Sequence, residues 1–250
     1  MKTRNLVLIG VLSFVGFVVA GAPVASVWPR LAPRLPSLNL AGLSGTVLAG
    51  SASAVSVNGK AVARPLHWSF SPLALLAARL GFNVEGELEG LQFDGRVART
   101  LGGDLVVDAL HGSGSLKGLL NLTGDVFLPV DGSVALSLDS LRLVGNFPKQ
   151  VTGDLQLSNL RSTLTRDGQP MGDFTISIRT EADVIVARVE PTAGPLDVGG
   201  EIRVMADRSY EVDLKVKAKP EATPAIQNLV RTLGQADTEG YFRIKTRSRF

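Results

Sequence analysis

The chain of 250 residues has a formal net charge of +3, 45% hydrophobic but only 6% aromatic side chains, no cysteine and two histidines. Without cysteine there can be no disulfide, thiolate metal ligand or cysteine nucleophile, and His67 and His111 alone give a histidine metal cluster or a Ser-His-Asp triad little to work with. Acids and bases are interspersed, which argues against a nucleic-acid partner, so the expectation is an aliphatic-cored binding protein with no catalytic residue, no metal and no cofactor.

Leu6 to Ala22 is uncharged, follows Lys2 and Arg4, and as a helix is about 26 Å long at roughly 1.5 Å per residue. Continued through Pro23 to Trp28 it crosses a hydrocarbon core of about 30 Å, leaving Trp28 and Arg30 at the interface. Leu6, Leu8, Val11, Phe14, Phe17, Val19 and Trp28 are therefore expected to anchor the chain, with the N-terminus cytoplasmic because the cations precede the run. Ala20-Gly21-Ala22 also offers a signal-peptide cleavage site, although Pro23 directly after it makes an awkward protease substrate. Both readings export residues 30–250. The expected division is residues 1–28 as tip and anchor, 29–36 as a connector stiffened by Pro29, Pro33 and Pro36, and 37–250 as a β domain.

From Ser37 the chain alternates through Leu38 and Leu40, passes Leu43 to Gly50, and runs as a strand through Ala52 to Val57. Asn58-Gly59 supplies the two left-handed positions of a tight hairpin, returning through Val62 to His67-Trp68-Ser69-Phe70. Ser71 to Gly81 then reads as a short core-covering helix, with serine at the cap, Pro72 in the first turn and a terminal glycine. In Gly45, Thr46, Val47, Gly50, Trp68 and Pro72, taken in this order behind a proline-rich connector, the chain resembles the type II secretion system protein N family. It departs from that family's pattern in having Leu48 where an aromatic is usual and Ala49 where serine is usual.

Asn83 to Leu160 is β in pattern: Val84, Gly86 and Leu88, then Leu116, Gly118, Leu120 and Leu122, then Val134, Leu136 and Leu138, with Leu141, Leu143, Leu155 and Leu157 beyond. Gly86, Gly103, Gly114 and Gly153 each precede an acid or serine and a leucine, and each is expected to start a strand after a turn. Phe174, Ile176 and Ile178, then Val184 and Val186, continue the theme, with a turn at Arg166-Asp167-Gly168 and breaks at Pro191 and Pro195. Leu196 to Val204 and Tyr210 to Ala218 form a strand pair. Thr223-Pro224 opens a helix that sets Ile226, Leu229, Val230 and Leu233 on one face and ends at Gly234. Gly240-Tyr241 leads the final strand, whose Arg243, Lys245, Arg247 and Arg249 read as its wet face.

This ending, with Leu233-Gly234 closing a helix and Gly240-Tyr241 opening a strand, again resembles the secretion protein N family and is also similar to AsmA-like envelope proteins. The expected fold is all-β, a mostly antiparallel curved meander, roll or taco-like sheet with two short helices and the N-terminal transmembrane helix. Two helices cannot cover so many strands. The sheet must curl on its own core or leave an apolar groove, for which Leu120, Leu136, Ile202 and Leu214 are the candidates. The resemblance implies an accessory inner-membrane component of a type II secretion system, with a periplasmic domain that binds other secretion proteins and performs no chemistry. The AsmA-like ending implies instead a protein that binds or transfers lipid through the groove.

Overall fold

The computed structural model describes residues 21–123, 129–145, 147–164 and 168–249. The anchor positions Leu6, Leu8, Val11, Phe14, Phe17 and Val19, and the turn residues Arg166 and Asp167, lie outside them. Among the described residues no helix is long and apolar enough to cross a membrane. The chain divides into two compact units, Met1–Leu88 and Glu89–Phe250.

In the first unit, helix α1 (Val24–Leu31) and a 3-10 turn (Ala32–Arg34) occupy most of the stretch expected as an extended connector. The prolines permit this because Pro23 precedes the helix and Pro33 sits in the first turn of the 3-10 segment, where a missing N–H costs nothing. Pro29 lies inside α1 at the cost of one backbone bond, and Val24 holds the helix down through a buried side chain. Strands β1 (Leu38–Ala41), β4 (Ala54–Val57) and β5 (Lys60–Ala63) make a three-stranded antiparallel sheet in the order β1-β4-β5. Asn58 and Gly59 turn between β4 and β5 with φ of 52° and 77°, as the hairpin signal required. The strand β2 (Ser44–Gly45) pairs with β3 (Ala49–Ala52), β3 with β6 (Leu66–Ser71), and β6 with β7 (Arg79–Leu88), all antiparallel.

The helix expected over 71–81 is instead a 3-10 segment, Pro72–Ala77, and it covers no core: Leu73 and Leu76 are 74% and 87% exposed. Ala78 ends it in the left-handed region, φ 53°, and the ladder to β6 claims the residues after it, with Gly81 opposite Ser71. Ser71 caps nothing. Six residues are too few for an amphipathic helix to offset its nucleation against two strands pairing on either side.

The second unit is a meander. Strands β8 (Leu91–Thr100), β9 (Leu105–Ser115), β10 (Val130–Val144), β11 (Phe147–Ser162), β12 (Gln169–Glu181), β13 (Val184–Ala193), β14 (Leu196–Val204), β15 (Ser209–Ala218) and β16 (Phe242–Arg249) follow one another in the sheet, each antiparallel to the next. Helix α2 (Leu116–Thr123) stands between β9 and β10, where the leucine alternation predicted a strand. Leu116, Leu119 and Leu120 fit i, i+3, i+4 as well as Leu116, Leu120 and Leu122 fit a period of two, and a short apolar run cannot separate the two readings. Helix α3 (Pro224–Arg231) follows β15 as expected, with Thr223 Oγ1 accepting a hydrogen bond from the Ile226 N–H at 3.4 Å. Leu233 lies beyond its end and is exposed.

Three of the four glycines expected to start strands sit inside or at the end of one: Gly86 in β7, Gly114 in β9 and Gly153 in β11. Gly103, φ 90°, does precede β9 in a turn. A Cβ on Gly114 or Gly153 would come within 2.7 Å of the Leu91 or Leu138 Cα on the neighbouring strand, so these glycines serve close approach between strands. Pro191 likewise breaks nothing. It lies within β13 just past the last residue paired with β14, Val189, where that side asks for no N–H.

Register aligns the apolar parity into rows running across the strands. One row is Phe93, Gly112, Leu136, Leu155, Ile176, Val189, Gly200, Leu214 and Ile244, each directly opposite the next. A parallel row runs Leu110, Leu138, Gly153, Ile178, Ala187, Ile202 and Val212. A buried cluster lies at one end of this face, where Leu116, Leu160, Phe174, Leu196 and Val216 pack with Ala222, Ile226 and Val230; Val107 and Val151, both opposite Leu141 beyond the second row, are buried as well.

Candidate functional site

The N-terminal motif residues converge within the first unit. Gly50 lies directly opposite Trp68, and a Cβ at Gly50 would come within 2.7 Å of Trp68 Cζ2 and 2.6 Å of the Ser44 carbonyl. The Trp68 indole N–H donates to the Val47 carbonyl at 3.1 Å, and Thr46 Oγ1 both donates to the Ala49 carbonyl, at 3.3 Å, and accepts from the Ala49 N–H, at 3.1 Å. Gly45 supplies φ 81° and leaves room for the Gly50 backbone. These positions clamp the β2–β3 turn under an indole. Pro72 stands apart from the clamp and opens the exposed 3-10 segment. Trp28 belongs to α1 and is half-buried.

Of the C-terminal positions, Tyr241 packs on the opposite parity from the apolar rows, and Leu233 and Gly234 do not join it. The Tyr241 hydroxyl donates to Asp197 Oδ2 at 2.8 Å, and the Tyr241 ring carries Lys215 Nζ at 4.7 Å and Lys217 Nζ at 5.1 Å from its centroid. Asp197 holds the phenol above its ordinary value, since ionising it would place two negative charges on one hydrogen bond. Gly240, φ 83°, makes the turn that presents Tyr241, while Gly234, φ 134°, has open space around it. A trough of about 690 Å³ lies on this face of β13–β16, lined by Arg188, Glu190, Asp197, Glu201, Lys215 and Tyr241 among others.

Two arginines around the trough are held by carboxylates. Arg188 makes a two-point contact with Glu181 at 2.7 and 3.0 Å, and Arg243 does the same with Asp213 at 2.7 and 2.6 Å. These guanidinium hydrogen bonds hold both carboxyls below the usual carboxylate range. The predicted wet face of the final strand is therefore a ladder of ion pairs with β15, extended by Arg247 to Glu211 at 3.3 Å.

Of the four groove candidates, Leu136 on β10 and Leu214 on β15 lie in one cross-strand row but are separated by strands β11–β14, and Ile202 on β14 lies in the next row near Leu214; all three are half-buried. Leu120 does not join them: it sits on α2 and packs against the buried cluster. One arrangement escaped the sequence reading, because it exists only through register. Asp94, His111 and Ser137 are cross-strand neighbours on three successive strands, with Ser137 Oγ 3.3 Å from His111 Nδ1. His111 and Asp94 are exposed to water, and the contact is a polar rung of the ladder. Among the described residues no group of three or more His, Cys, Asp and Glu is placed to hold a metal.

The family model for type II secretion system protein N matches residues 36–245. That span takes in both the indole clamp and the Tyr241 region. No curated protein and no solved structure matches the chain. These comparisons give no counterpart to the AsmA-like resemblance.

Proposed function

The chain belongs to the type II secretion system protein N family, and from that premise we propose that it is an accessory component that binds other secretion proteins at the inner membrane during export across the outer membrane. The observation that carries the reading is the family match over residues 36–245, which includes nearly every strand of both units. Secretion and protein transport come with the family, which is one of secretion accessory components and not a known enzyme family.

The finer placement rests on the sequence. The uncharged run Leu6 to Ala22 behind Lys2 and Arg4 supports a single-pass anchor with the β units on the periplasmic side. A binding role without chemistry agrees with a charged face whose Arg188 and Arg243 are held by Glu181 and Asp213, and with an aliphatic face whose rows contain no polar partner for a reacting group.

Deleting the gene in its own host, then measuring how much secreted enzyme is retained in the periplasm, tests the reading directly. Retention that the full chain reverses, together with secretion proteins co-purifying from detergent-solubilised membranes, is the expected result. Unchanged secretion and no co-purifying secretion protein would sink it. Carbonate washing tests the anchor separately: the protein is expected to stay in the membrane pellet.

A further inference from the structure

We propose that the outer edge of β16 is a docking site for a partner β-strand that alternates acidic and apolar residues. β16 is the terminal strand of its sheet, hydrogen-bonded along its length to β15. On its far side the loop residue Ala236 makes a single antiparallel bridge to Phe242, so the edge already accepts antiparallel pairing at its first residue. From Arg243 onward no described strand continues that pairing. The backbone there offers a row of donors and acceptors to an incoming chain.

The side chains define what that chain must carry. Arg243, Lys245, Arg247 and Arg249 occupy one face of β16, and β15 meets them with only two carboxylates in the ion pairs. Asp213 serves both Arg243 and Lys245, Glu211 serves Arg247, and Arg249 donates to the Asp207 backbone carbonyl, with the Asp207 carboxylate close enough to feel its charge. The three paired cations remain 66–74% exposed. A strand added about 4.8 Å away places its same-face side chains beside these cations, where Asp or Glu supplies the missing counter-charge. Apolar residues between the acids would extend the row that ends at Phe242 and Ile244. A second copy of β16 is the wrong partner, because pairing it would set arginine and lysine against arginine and lysine.

This surface deepens the secretion reading and rests on it for the partner's setting, but the binding test does not depend on it. A fluorescent peptide of alternating glutamate and valine, of the same length as β16, is titrated into the full chain in detergent beside a scrambled peptide of identical composition. The alternating peptide is expected to bind about tenfold tighter than the scrambled one and to slow amide exchange at alternate residues of 243–249. Lys245→Glu and Arg247→Glu should each weaken it by about tenfold while β15 amides keep their protection. Four outcomes would overturn the proposal: equal binding of the two peptides, binding without protection in β16, binding only to phosphatidylglycerol vesicles, or self-association that protects β16 without peptide. A failed peptide test alongside a retained secretion defect in the deletion strain would remove the edge site and leave the family function standing.

Discussion

The two ends of the apolar face in the second unit are built from the same residues and have opposite fates. Phe174, Leu196 and Val216 are buried under α3, whose Ile226 is 1% exposed, whereas Leu136, Ile178, Ile202 and Leu214, on the same strands or their neighbours, stay half-open. Alternation is equally clean at both ends. The closed end has α3 on top, and the chain has only α2 and α3 to supply such cover in this unit among the described residues. A strand's alternating pattern therefore establishes which side chains share a face, and leaves open whether that face becomes core.

The largest effect should come from charging the closed end. Ile226→Asp would place a carboxylate among Phe174, Leu196 and Val230 with no partner, costing about 4 kcal/mol or more by denaturant titration. A shift under 1 kcal/mol, well below that of roughly 4, would mean that α3 is not seated on the sheet.

Truncation sharpens the contrast between the ends. Phe174→Ala should cost about 3–4 kcal/mol, because a close-packed site loses both transfer energy and packing. At the open end Ile202→Ala should cost only about 1 kcal/mol, in proportion to a side chain that already meets water. Equal losses at the two positions would show that the open rows are covered in solution.

Leu136→Glu probes the same point with a charge. On a half-buried row the carboxylate can turn to solvent, so a loss of about 1–2 kcal/mol is expected, well short of the Ile226→Asp loss. Unfolding of the variant at neutral pH would place Leu136 in a sealed core.

The smallest effect belongs to the charged face. Asp213 and Glu181 are held below their ordinary range by Arg243 and Arg188, so each is more acidic folded than unfolded. Their contribution is fully present above the unfolded carboxylate range, near pH 4, and is lost as the pH falls through the lower folded values. Glu181 is exposed and Asp213 half-buried at the surface, so water screens both pairs and the change is small. It should appear as a slight extra fall in melting temperature between pH 5 and 3, relative to an Asp213→Asn variant, on scans bracketing a carboxylate pKa of about 4.

Much of this molecule is legible without coordinates. Periodicity places the strands from β10 to β16 and the face of α3, and Asn58-Gly59 announces its hairpin, because side-chain direction and left-handed backbone are local properties. The same local reading misjudges Leu116 to Thr123, where leucines satisfy two periods, and Ser71 to Gly81, where helix signals lose to strand pairing on both sides. Gly114 and Gly153 read as turns because composition carries no record of a neighbouring strand approaching closely.

By itself the sequence determined an antiparallel, cysteine-free, aliphatic sheet protein and the order of the motifs that tie it to its family, since alternation and composition follow directly from residue identity. Only the tertiary structure decided that Gly50 and Trp68 face each other, that Leu136 and Leu214 share one row while Leu120 joins the core, and that three cations on β16 meet two carboxylates on β15. Each of these depends on register and on where a helix lands, quantities set by hydrogen bonds and packing between segments far apart in the chain.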